Sequence, residues 1–215
     1  MSKTRNRLVA LIALGGLVAG GAALAEPVKL PARQLALGVE HFQAKALVLD
    51  DHLDVETVVS TQNGFQTGKG LFRNPSNDNY LRAVVDKRTG QTRYEVRQVL
   101  SYQGAMRGYD TVAYETSTRP IQVQATRIRD NAGQCFLFEA PELCREEVAF
   151  PIGEDELRKL AAKPQPWGFK FKSPAGDEHR TAITQAEING LLASVEAYRA
   201  TLPPVQAQAD TAAGG

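Results

Sequence analysis

Between Lys45 and Lys172 most apolar residues recur at every second position, the period of a strand that buries one face. From Thr92 to Tyr102, the residues Tyr94, Val96, Leu100 and Tyr102 fall on one face, and Arg93, Glu95, Arg97 and Ser101 on the other. Val99 alone is out of phase. YLRAVVDK precedes this run and RTGQ separates the two, which predicts a hairpin turned at Gly90, a residue free to take positive φ. ALVLDDHLDVETVV predicts two strands joined at Asp50 to Asp54. Further strands are expected around Val112 and Tyr114, around Ile121, Val123 and Ala125, around Val148, Phe150 and Ile152, and around Trp167, Phe169 and Phe171. The leading LPARQLALGVEHFQ fits either a helix or a strand.

Two later segments change to the helical period. GEDELRKLAAKP carries acids in its first turn, Lys159 and Lys163 toward its end, and Pro164 as a stop, a short helix matched to its own dipole. In ITQAEINGLLASVEAYRATLPP, Thr184 and Glu187 have capping-box spacing, with Ile183 and Ile188 at the staple positions. Ile188, Leu191, Leu192, Val195 and Tyr198 form one stripe, so this helix should pack on a sheet. Gly190 interrupts it at about 1 kcal/mol relative to alanine, which is reasonable if the backbone approaches a neighbour closely there. No βαβ alternation and no fixed repeat is present. The expected class is therefore mainly β, all-β or α+β: an antiparallel sheet or sandwich of about seven to nine strands, with one short late helix and a packed C-terminal amphipathic helix.

The N-terminus sets the compartment. Lys3, Arg5 and Arg7 precede an uncharged run from Leu8 to Ala25, ending in the small-residue pattern Ala23, Leu24, Ala25. This is the layout of a secretory signal peptide, residues 1–25, cut between Ala25 and Glu26. The competing reading, a retained membrane anchor, is weakened by the glycines and alanines of that run. No cysteine stands at the cut and no two arginines are adjacent, so neither a lipid-anchored precursor nor a twin-arginine substrate is indicated. A periplasmic or secreted protein is expected, with no membrane span once the signal is removed. Residues 26–44 read as a lead-in segment, 45–201 as one β-rich domain, and 202–215, rich in small and polar residues, as a disordered tail. Losing three cations turns the formal net charge of +1 into about -2, and no charge excess points to nucleic acid.

That compartment decides how Cys135 and Cys144, the only two cysteines, are read. Their spacing suits neither a zinc site nor a C-x-x-C redox motif. In an oxidising compartment a Cys135–Cys144 disulfide is expected, stapling a long hairpin connection. DDHLD, Asp50 to Asp54, is the densest cluster of acids and imidazole, and it reads as a polar turn, because no second histidine-rich segment completes a metal site. No G-x-S-x-G singles out a nucleophile, GKG at Gly68 to Gly70 lacks phosphate-loop spacing, and no cofactor is indicated.

Between Arg73 and Arg107 stand seven Lys or Arg against three Asp or Glu, while Glu139 to Arg158 is acidic. Arg82, Arg93 and Arg97 are candidates for an anion-binding or partner-binding face, unless the two patches meet within one molecule. The expected function is that of an exported, non-enzymatic binding or accessory module, whose partner is another envelope protein or an anionic ligand. Two alternatives stand beside it: a hydrolase-like periplasmic enzyme whose site is dispersed in sequence, and a carrier of a small apolar ligand inside a closed barrel.

Overall fold

The computed structural model describes residues 28–66, 78–128, 134–136 and 143–203, with residues 134–136 and Leu143 described by backbone alone. The expected signal peptide, its cut between Ala25 and Glu26, and the tail beyond Pro203 lie outside the described residues. The elements run α1 (Ala32–Leu35), α2 (Val39–Ala44), β1 (Leu47–Leu49), β2 (Glu56–Ser60), β3 (Asn79–Asp86), β4 (Thr92–Gln103), β5 (Thr111–Glu115), β6 (Pro120–Gln124), β7 (Thr126–Arg127), β8 (Gln134–Phe136), β9 (Leu143–Ile152), α3 (Glu154–Ala161), β10 (Trp167–Lys172), β11 (Glu178–Ile183) and α4 (Gln185–Arg199).

Every strand pairing is antiparallel, and the strands form two sheets. The larger has the order β1-β2-β3-β4-β9-β7, with β8 also paired to β9, and the smaller has the order β11-β10-β5-β6. The β3–β4 hairpin turns at Gly90, whose φ of 70° is the left-handed conformation that glycine tolerates best. Tyr94, Val96 and Leu100 are buried together with Leu81, Ala83 and Val85 of β3 and with Val148, Phe150 and Ile152 of β9.

More strands are present than the seven to nine expected, for three local reasons. The run PIQVQATR divides at Ala125: β6 pairs with β5 in the smaller sheet, and β7 pairs with β9 in the larger. Ala125 is buried at this crossing, and its N–H donates to the Asp110 carbonyl at 2.7 Å. The other additions are the short β8, paired to β9 beside Cys144, and β11, whose first four residues, Glu178 to Thr181, are wholly polar and so show no apolar alternation.

Aromatic rings fill the space between the sheets. The Phe150 ring lies 5.2 Å from Tyr114, 5.6 Å from Phe169 and 6.0 Å from Trp167, centroid to centroid, in stacked and edge-on geometries that favour aromatic pairs. The indole of Trp167 donates to the Glu115 carbonyl at 3.1 Å, so its one polar group is satisfied.

Helix α4 covers β2 and β3 with Ile188, Leu191, Leu192 and Val195. Thr184 caps it, accepting the Glu187 N–H at 3.2 Å. LPARQLALGVEHFQ forms α1 and α2, and α2 packs on α4 with Phe42 fully buried. The lead-in segment is thus part of the folded body. At the other end Leu202 packs against the core, one residue into the segment expected to be a disordered tail.

Candidate functional site

The basic and acidic stretches meet within the molecule. Arg82 and Arg97 both donate to Glu95 Oε1 at 2.8 Å, and Arg97 also reaches Glu147 at 3.4 Å. Arg93 donates to both oxygens of Glu56, at 2.8 and 3.2 Å. Glu147 is buried on this outer face of the larger sheet, where it also accepts the Tyr80 hydroxyl at 2.7 Å. Burial, with Glu147 adding to it, pushes the Tyr80 hydroxyl up to about 12. Each of Arg82, Arg93 and Arg97 therefore holds a carboxylate of its own chain, and their charge is compensated in place.

On the opposite face of β9, Glu146 is fully buried and gathers the segment that leads into β5. It accepts the N–H groups of Gly108 at 3.0 Å and Tyr109 at 3.2 Å, together with the Tyr102 hydroxyl. Arg107 lies over the Tyr102 ring at 4.5 Å, a cation–π contact. Glu154 at the start of α3 joins β4 to α4 through the Tyr94 hydroxyl, Arg158 and Arg199. The Arg199 guanidinium, with Arg158 and Tyr94 assisting, holds this carboxyl at about 2. These acids fasten elements to one another.

The cysteines sit in the same sheet. Cys135 of β8 is the direct cross-strand partner of Cys144 of β9, and Cys144 is fully buried.

DDHLD forms the β1–β2 turn. Asp50 pairs with Lys87 Nζ at 2.5 Å and accepts the Thr57 hydroxyl at 2.9 Å. Asp51 accepts the Leu53 N–H on its side chain at 2.9 Å and the Asp54 N–H on its carbonyl at 3.0 Å, and that carbonyl also receives Lys87 Nζ. Among the described residues no three His, Cys, Asp or Glu groups come together as metal ligands.

This pinned turn presents apolar side chains to solvent. Leu53 is 80% exposed and Val55 is 77% exposed, with Val48 and Leu49 of β1 beside them in sequence. Of the six large exposed hydrophobic residues described, these four fall within eight consecutive positions. Strand β1 is also the end of its sheet, and among the described residues nothing pairs with its outer edge. Sequence reading missed this surface because alternation marks a strand without telling which face is covered.

One cavity, of about 180 Å³, lies where α1 and the chain before it meet β3 and β11; Gln34, Asn79 and His179 are among its lining residues. His179 Nε2 is buried without a hydrogen-bond partner, and burial lowers the pKa of its imidazole. Comparison with protein-family models, with curated proteins and with solved structures finds no match to the chain.

Proposed function

We propose that this chain is a non-enzymatic binding module of the cell envelope, exported under a signal peptide that is removed between Ala25 and Glu26. It docks an extended segment of another envelope protein along the outer edge of β1 and the turn at Leu53. The observation that carries this reading is the presentation of Leu53 and Val55 on a turn fixed by Asp50, Asp51, Thr57 and Lys87. A contiguous group of exposed apolar side chains is costly in water and commonly marks an interaction site. Holding those side chains on a preorganised turn reduces the entropy lost on binding.

The chemistry of the partner follows from the edge. Unpaired backbone groups along β1 suit an added strand. Val48, Leu49, Leu53 and Val55 suit apolar side chains on that strand, and the exposed carboxylates of Asp51 and Asp54 suit lysine or arginine next to them. The Cys135–Cys144 bridge belongs to the same reading. Direct antiparallel partners have Cα atoms about 4.5 to 5.5 Å apart, inside the range a disulfide spans. In an oxidising envelope the pair closes and braces β8 on β9.

The test replaces Leu53 and Val55 together by Asp. Co-purification of the partner from the cell envelope is expected to be lost while circular dichroism stays unchanged, because neither side chain is buried. Partner recovery equal to that of the unaltered protein would overturn the proposal.

A further inference from the structure

We propose that the cavity between α1, β3 and β11 is a second binding site, for a small organic carboxylate with a short apolar body. Four separate stretches of the chain build it: Leu30, Pro31 and Gln34, then Phe65, then Asn79, then His179 to Ala182.

One polar side chain of the lining, Gln34, is left without a protein partner. Gln34 is only 4% exposed, and its side-chain amide has no hydrogen-bond partner within the described protein. Asn79, by contrast, is committed, donating to Thr181 Oγ1 at 2.7 Å and to the Ala182 carbonyl at 3.0 Å. A buried side-chain amide is rarely left without a partner, so one that lines a cavity points to an occupant that supplies the missing bond.

The charge of the lining selects that occupant. Lys29 forms no ion pair among the described residues, and Arg180 reaches Glu178 only at 3.5 Å. These two cations outnumber Asp78, the one carboxylate of the lining, which has further contacts of its own. An anion held by Lys29, Arg180 and the Gln34 amide fits this set. Leu30, Pro31, Phe65 and Ala182 supply an apolar wall for the rest of the molecule. A cavity of about 150 Å³ is enough to hold benzene, so the space here matches a carboxylate on a ring or short chain of that size.

Sodium benzoate is the probe, titrated into the purified protein and followed by two-dimensional amide NMR. Saturable shifts are expected at Gln34, Asn79 and Thr181, with none at Gln122 on the far edge strand. Benzyl alcohol, similar in shape but neutral, should bind about tenfold more weakly, and Gln34→Leu should weaken benzoate binding by about tenfold. If Gln34→Leu fails to fold, Lys29→Gln, at an exposed position, provides the same comparison. The site is overturned if benzoate shifts do not saturate, if benzyl alcohol binds equally well, or if both variants bind benzoate as the unaltered protein does; any of these leaves a cavity filled by water alone.

Discussion

Gly190 of α4 lies so close to Phe42 of α2 that a Cβ at position 190 would sit 2.5 Å from the Phe42 Cβ and 3.3 Å from the Val39 carbonyl oxygen. Phe42 is held from the other side as well, since a Cβ on Gly64 would come within 2.5 Å of its ring. The glycine that interrupts the apolar stripe of α4 is therefore the place where the two helices touch.

This contact reverses the usual ranking of glycine and alanine in a helix. Alanine at 190 gains about 1 kcal/mol of helix propensity and loses more to overpacking, which typically costs 1 to 3 kcal/mol or above when backbone must move. Urea denaturation should show Gly190→Ala less stable by about 1 to 2 kcal/mol, and Phe42→Ala less stable by about 3 to 5 kcal/mol. A more stable Gly190→Ala protein would mean that the helices are not in this contact.

Glu187 makes stability depend on pH. Its carboxyl is fully buried, and burial pushes its pKa up to about 7 even though the Thr61 hydroxyl, donating at 2.6 Å, pulls it down. An unfolded chain titrates this group near 4.5. Between those values the folded protein holds the proton more tightly, so stability falls as pH rises through the window and levels off above it. Unfolding measured at about pH 5 and about pH 8 should differ by an order of 2 to 3 kcal/mol more in the unaltered protein than in Glu187→Gln. Equal pH slopes in the two proteins would show that Glu187 is not the group responsible.

The cysteine bridge can be tested without reference to function. Thiol labelling of the denatured, unreduced protein should leave Cys135 and Cys144 unmodified. Replacing both by serine should lower stability by about 2.5 to 3 kcal/mol, as expected for closing a loop of this size. Two labelled thiols in protein recovered from the envelope would remove the bridge.

Much of the fold was legible because a half-buried strand writes its face into every second residue. β3, β4, β9 and β10 show this clearly, and Thr184 with the stripe from Ile188 to Tyr198 marks α4 equally well. β11 left no such mark, because its inward positions His179 and Thr181 are polar. The crossing at Ala125 was hidden because one continuous alternation serves two sheets there. The pairing of Arg82 with Glu95 needed the register, in which these two residues are direct partners on neighbouring strands. The cavity was out of reach for a related reason: Gln34, Asn79 and His179 are far apart in sequence, and only the fold brings them to one corner.

The exposed surface at Leu53 is the proposed docking site. A photo-reactive phenylalanine analogue placed there in the living cell, followed by mass spectrometry of the crosslinked peptides, tests it directly. The expected result is one specific adduct whose captured peptide carries lysine or arginine beside apolar residues, absent when the same analogue stands at Gln122. No adduct at position 53, or adducts equally abundant at both positions, would contradict docking on the β1 edge, and a captured peptide from a second copy of this chain would replace the foreign partner with self-association.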